Sequence, residues 1–426
     1  MNLRRRRILL VALVPLIIAA ALSGCARKQA TGRIELTLFT WVPPEELTAN
    51  QELIGEFERQ HPDLHVTILN EPSQRAMDKL QTSIAAGNPP DVMSIHGAYF
   101  LPLAAKGALL DLEPLIAGDA QFDLGDFYPQ ILPICRYEGK LYSLPRYASV
   151  YVLFYNKDLF DEVGVAYPSD GWTWDDYLTA AKKLTRHSSD PDRARYGCII
   201  DFWGARIYPW IWQNDGQILD ESRRRCLLDQ RPAEEALQFL VDLARKHKVA
   251  PVISQEEARE TREWFKAGRV AMFMSGAWDV QVLRRSPSLR WDVAPLPKRK
   301  QRATLAGTEN YAISAKTAHP KESWELFTFL LSPKSQETMA AAVEKQPSRI
   351  SVAEGPYLAA KVGYNRRVFV DALGYGKLAP NVPEWDRISH LIQDRLDQIW
   401  IGQITVAQGM QQAAADVTRE LEAAAR

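Results

Sequence analysis

The stretch that decides the fold runs from Ile34-Glu35-Leu36-Thr37-Leu38-Phe39 to Asp91-Val92-Met93-Ser94-Ile95. Its first six residues alternate apolar and polar, the period of a half-buried strand. Thr48 to Gln60 follows with helical spacing, and His65 to Leu69 is strand-like again. Ser73 to Ala86 reads as a second helix, closed by Gly87-Asn88-Pro89-Pro90, and Asp91 to Ile95 is a third strand. Strands alternating with helices predict a mainly parallel, doubly wound α/β sheet.

The middle of the chain continues the alternation. Val150–Tyr155, Tyr196–Ile200, Arg269–Met274 and Trp291–Ala294 are strand-like. Thr173 is placed to cap a helix through Arg186. Pro232 to Lys246 is amphipathic, with Pro in its first turn and a stripe of Ala236, Leu237, Leu240, Val241 and Ala244. From Pro320 onward the pattern is helical: Pro320–Leu331, Ser335–Val343, Asp386–Trp400 and Ile404–Ala424. There is no internal repeat and no low-complexity segment.

The chain has 426 residues, enough for two or three domains. With 46% hydrophobic and 24% charged residues it is an ordinary globule, not a polytopic membrane protein or a disordered chain. Lys+Arg and Asp+Glu are both 52, which gives no basic stripe for nucleic acid. The zero net charge conceals an asymmetric start. Arg4 to Arg7 precede the apolar run Ile8 to Leu22, and no acid occurs before Glu35. That is the pattern of a secretory signal, too short for an ordinary membrane span. It ends in Leu22-Ser23-Gly24-Cys25, similar to a bacterial lipobox, in which Cys25 becomes the lipidated first residue. Residues 1–24 are therefore expected to be removed and 25–32 to serve as a tether. Cys135, Cys198 and Cys226 remain; Cys198 and Cys226 could pair in an oxidising compartment, or stay as buried thiols.

No motif for phosphate cradling, a nucleophile elbow or a zinc protease is present. His61 and His65 are interrupted by Pro62, and Asp175-Asp176 and Glu256-Glu257 are adjacent acids that do not face one another on a helix. No catalytic residue, metal site or cofactor is expected. The twelve Trp are the stronger signal. Trp203, Trp210 and Trp212 fall within ten residues; Trp41 follows the first strand, and Trp278 ends another. Ligands of open α/β sheets bind beyond the carboxyl ends of strands, where flat rings suit the apolar faces of sugars. Trp172, Trp174, Trp264 and Trp324 lie in helical patterns and read as packing.

A set of ordered fragments then gives a resemblance. Lys79-Leu80 through Gly87-Asn-Pro-Pro90-Asp91-Val92, Ala105-Lys-Gly107, Tyr142-Ser-Leu-Pro145, Tyr155-Asn-Lys-Asp158, Trp172-Thr-Trp174 and Met274-Ser-Gly276-Ala-Trp278 lead it. Pro295-Leu-Pro297, Trp324-Glu-Leu-Phe327, Gln346-Pro347-Ser-Arg349 and Ala379-Pro380-Asn-Val-Pro383-Glu-Trp385 complete it. The chain resembles the carbohydrate-binding family of extracellular solute-binding proteins that serve bacterial ABC importers. The resemblance implies a two-lobe periplasmic-binding-protein fold with the solute held between the lobes. Lobe 1 is expected at 33–145 plus about 308–350, and lobe 2 at about 146–307 plus about 351–426. Crossings are expected near Pro145–Ser149, Gly307–Tyr311 and Ser351–Tyr357. The implied ligand residues are Trp41, Glu45, His96, Tyr99, Arg146, Trp203, Tyr208, Trp210, Gly276, Trp278, Thr308, Glu309, Asn310, Arg349 and Trp385. The implied partners are a sugar or oligosaccharide and the membrane permease, met by an exported, lipid-anchored monomer outside the cell membrane or in the periplasm. Glycerol phosphate, a polyamine or another non-sugar solute is the alternative ligand, with Arg146 and Arg349 to hold an anion; an exported carbohydrate-active enzyme is the remote one.

Overall fold

Two strands that belong to both halves of the molecule organise the fold. The computed structural model describes residues 32–72, 75–190, 194–254, 257 and 260–424. The leader and the lipidation position Cys25 lie outside the described residues. Strands β1 (Ile34–Thr40), β2 (Leu64–Asn70) and β3 (Val92–His96) pair in parallel, with β1 in the middle. They are linked by α1 (Pro44–Gln60) and α2 (Ala76–Ala85). Helix α3 (Gly97–Ala105) follows β3 without a break. Helix α1 starts four residues earlier than its apolar spacing suggests, because Pro44 suits the first turn and Glu45 and Glu46 favour the positive end of the helix.

The expected parallel character stops there. Strand β10 (Thr304–Ile313) runs antiparallel to β3, and β6 (Ser143–Val150) runs antiparallel to β10. The sheet is mixed because the chain re-enters it from the other lobe, and so from the opposite end. The short β11 (Gln346–Pro347) and β12 (Gly376–Leu378) complete it, while β4 (Arg136–Tyr137) and β5 (Lys140–Leu141) form a separate antiparallel pair.

The expected strand Val150–Tyr155 is two strands. Strand β6 ends at Val150, and β7 (Val152–Asn156) begins a second, three-stranded sheet with β8 (Met272–Ser275) and β9 (Trp291–Ala294). Tyr151 lies between them and is tied to β10: its N–H donates to Leu305 O (3.3 Å) and its carbonyl accepts from Thr304 Oγ1 (2.6 Å). Tyr196–Ile200 is extended but forms no ladder, only an isolated bridge from Tyr196 to Val270. Its Gly197 backbone packs directly on helix α4 (Trp174–Leu184), where a Cβ would sit 2.1 Å from Ala181 O.

Lobe 1 covers its sheet on both faces. Leu36, Leu38, Ile54, Phe57, Tyr311 and Phe327 fill one side, and Phe39, Met77, Leu80, Ile95 and Phe100 the other. Lobe 2 packs α4, α5 (Arg231–Arg245), α9 (Trp385–Trp400) and α10 (Val406–Ala424) around Trp174, Tyr208, Leu237, Leu240 and Met410; α6 to α8 are Val280–Arg284, Pro320–Leu330 and Pro333–Val343. Thr173 caps α4 as expected, in a reciprocal box with Asp176 that is worth about 1 kcal/mol. The face that α5 buries matches its sequence stripe, so truncating Leu240 to Ala would cost about 2–5 kcal/mol. Cys198 and Cys226 do not pair. Cys198 Sγ points at Val249 O (3.8 Å), and Cys226 N–H bonds Thr418 Oγ1 (3.0 Å). Each has a different neighbour, so both stay as buried thiols.

Candidate functional site between the lobes

A cavity of about 180 Å³ opens where three segments converge. His96 and Gly97, at the β3–α3 junction, form one side. Ala306, Gly307 and Thr308 of β10 form the floor, and Ala379 to Asp386, leading into α9, form the far wall. Gly97 allows this convergence, since a Cβ there would come within 3.0 Å of Thr308 Oγ1 and 3.1 Å of Thr308 O.

Aromatic rings stand on either side. On lobe 1, Trp41 meets His96 edge-on (centroids 6.2 Å apart), and His96 meets Tyr99 likewise (6.5 Å). On lobe 2, Trp278 packs edge-on against Tyr151 (5.3 Å) and keeps 38% of its surface exposed. Its indole folds over Gly276, where a Cβ would lie 2.1 Å from the ring. Arg206 lies over Tyr151 and is ion-paired with Asp201. Trp385 lines the far wall and touches Tyr208 edge-on (6.1 Å).

Beneath these rings lies a cluster of charges. Glu309 faces His96 across the β10–β3 register, and its carboxylate accepts from Lys345 Nζ at 3.0 and 3.2 Å. Lys345 also lies 2.9 Å from Glu46 Oε2, a charge contact without hydrogen-bond geometry. Glu46 in turn pairs with Arg146. Burial pushes the Glu309 carboxyl upward, but the Lys345 ammonium, Arg146 and His96 outweigh it and hold it below the ordinary carboxylate range. The protein atoms packed around His96 lower its pKa, as does Lys345, with Glu309 opposing them, although the residue is exposed at the end of β3. Thr308 Oγ1, both amide atoms of Asn310 and Trp41 Nε1 are buried without hydrogen-bond partners among the described residues. Groups of this kind are satisfied when a polar ligand or water arrives.

The expected site residues separate into two groups. His96, Thr308 and Trp385 line the cavity; Trp41 and Tyr99 pack edge-on against His96, Glu309 pairs with it in register, Asn310 lies further along β10, and Trp278 lies over Gly276 and against Tyr151. Arg146 does not: it is 3% exposed, bonds Glu46, Ser94 and Tyr147, and lies over the Tyr147 and Tyr311 rings. Arg349 is also interior, donating to Asp126 (3.0 Å) and Leu331 O (2.6 Å). Tyr208 and Trp210 are core, the latter packed against Trp174 and Tyr177. Glu45 points outward and pairs with Arg285 of lobe 2 (2.7 Å). Trp203 is half-exposed on a different cavity of about 320 Å³, with Val252, Trp400 and Ile401. Tyr151, Lys345 and Asp386 belong to the cleft and were not expected. A lone Lys or Asp carries no sequence signal, and Tyr151 was hidden inside the single expected strand Val150–Tyr155, which the structure splits at that residue. Among the described residues no cluster of His, Cys, Asp or Glu is arranged to hold a metal ion.

Known proteins share this architecture. A galactooligosaccharide-binding protein of Bacillus subtilis is 23% identical over 423 residues, 95% of each chain. An ABC substrate-binding protein of Listeria monocytogenes, solved with cycloalternan, superposes with a TM-score of 0.83 at 27% identity, over 92% of this chain and 99% of that one. The sugar-binding protein MalE of Xanthomonas citri superposes at 0.79 with 26% identity, over 91% and 98%. The family model described as bacterial extracellular solute-binding protein matches residues 43–337, so the chain belongs to that family.

Proposed function

We propose that this protein is the saccharide receptor of an ABC importer, binding an oligosaccharide between its lobes and presenting it to the membrane permease. The observation that carries this reading is the cleft itself. Trp41, Tyr99 and Trp278 offer ring faces and edges above a floor where Glu309 is held charged and Thr308 and Asn310 lack partners. Rings take the apolar faces of a sugar, while a carboxylate and an amide take its hydroxyls. The relatives whose names include oligosaccharides support the same ligand class. The anionic alternative is weakened because Arg146 and Arg349 are already engaged by carboxylates.

In this reading the ligand meets one lobe first, and rotation about β6 and β10 brings the other lobe onto it, which shifts the population toward the closed form. The lobes divide near 145 and 307, with a third crossing at 351–357. Nothing covalent happens to the solute. The lipobox supports anchoring through Cys25, which holds the monomer close to its permease. The test is a thermal-shift screen of residues 26–426 against mono- and oligosaccharides, sugar phosphates, polyols and polyamines. A saccharide at 100 times its Kd should add about 2.7 kcal/mol of stability. A shift with sugar phosphates or polyamines and none with saccharides would refute the proposal.

A further inference from the structure

We infer that the preferred ligand is a saccharide bearing an apolar group, an aryl or alkyl glycoside, and that this group enters the cavity at the hinge. The inference rests on the saccharide-receptor reading and refines it. The lining chemistry carries it. The polar side chains on the cavity wall are those of His96, Thr308, Asn381 and Asp386. Most of the remaining wall is hydrocarbon or ring: Leu101, Pro102, Ile134, Leu305, Val382 and Trp385. These come from both lobes and from the hinge strand, so the cavity is apolar on several sides rather than along one edge.

A sugar ring carries hydroxyls around its rim. Sunk into this wall, it would leave several of them buried without partners, which is costly. The group able to take hydroxyls is next to the wall: Glu309 follows Thr308 on β10, pairs in register with His96, and has its carboxylate held by Lys345. The size agrees. An apolar cavity of roughly 150 Å³ is large enough to hold a benzene ring, and this one is about 180 Å³. The arrangement therefore separates a polar region for the sugar from an apolar chamber for its substituent.

The experiment compares matched ligands by calorimetry on the intact mature body. Phenyl and methyl α-D-glucopyranoside, phenyl and methyl β-D-galactopyranoside, and the corresponding free mono- and disaccharides are titrated under one buffer. The phenyl glycoside of the favoured sugar should bind on the order of 10-fold or more tighter than the free sugar, with the methyl glycoside between them. In Ala379→Phe, which fills the chamber, and in Val382→Asn, which makes its wall polar, the phenyl-to-free ratio should fall toward one. The wild-type series alone decides the matter if a variant does not fold. Free sugars binding as tightly as their phenyl glycosides would overturn this inference and leave the receptor reading intact. No binding by any saccharide, substituted or free, would overturn both.

Discussion

Replacing Lys345 with Met removes one charge and keeps most of the side-chain stem. Lys345 is 18% exposed and lies between Glu309, 20% exposed, and Glu46, at 1%. Taking one partner out of a buried ion pair costs about 3–5 kcal/mol. Arg146 still satisfies Glu46, so the lower end, about 3 kcal/mol, is expected. Unfolding entropy near 2.1 cal/mol/K per residue makes this a fall in Tm of about 3–4 °C for a chain of this length. The pH dependence gives the sharper signature. The folded-state pKa of Glu309 is depressed, so its contribution is full above the unfolded carboxylate value and is lost as pH falls through the folded one. Without Lys345 that depression shrinks. The deficit of the variant should be largest near pH 7 and should shrink as pH falls below the ordinary carboxylate range, toward the depressed folded value where the wild type also loses the interaction. Lys345→Arg should keep most of the stability. Calorimetric scans of both variants and wild type across that range make the measurement. A deficit of the same size at pH 7 and at the lowest pH at which the wild type stays folded, or an unchanged Tm at pH 7, would refute the assignment of Lys345 as the group that keeps Glu309 charged.

Gly276→Ala should displace the Trp278 indole and weaken saccharide binding about 10-fold or more, measured by calorimetry. Burial pushes the thiols of Cys135, Cys198 and Cys226 up to about 12. The folded mature body should therefore resist iodoacetamide at pH 8, and unfolding it without reductant should release three titratable thiols. Arg285→Ala breaks the exposed contact with Glu45 between the lobes. It should leave Tm nearly unchanged, while making ligand affinity less sensitive to salt.

Much of the fold was legible because local patterns and tertiary demands agree. Trp291–Ala294 is a strand with the expected bounds, and α5, α9 and α10 keep their expected bounds to within a residue or two. The departures lie where packing between distant segments overrides local pattern. No pattern within Ser143–Val150 says that it pairs with residues 160 positions later, and the antiparallel hinge follows from that pairing. The site was legible in part for the same reason. Trp41, His96 and Trp278 end strands, and strand ends face the cleft. Arg146 sits on a hinge strand as well, but Glu46 claims it from α1, a partner one hundred residues away. Tyr208 and Trp210 belong to the same aromatic run as Trp203, yet α5 and α9 close over the first two and leave the third exposed.

The two shared strands have a mechanical consequence for the whole chain. Strand β10 hydrogen-bonds β3 along its second half and β12 along its first, while β6 runs beside it for most of its length. The large sheet cannot come apart without freeing β6 and β10, the strands that carry the chain into and out of lobe 2. The halves are thus free to swing but not to melt separately, and the molecule should denature as one cooperative body. A protease that cuts either lobe open should find no stable half left behind.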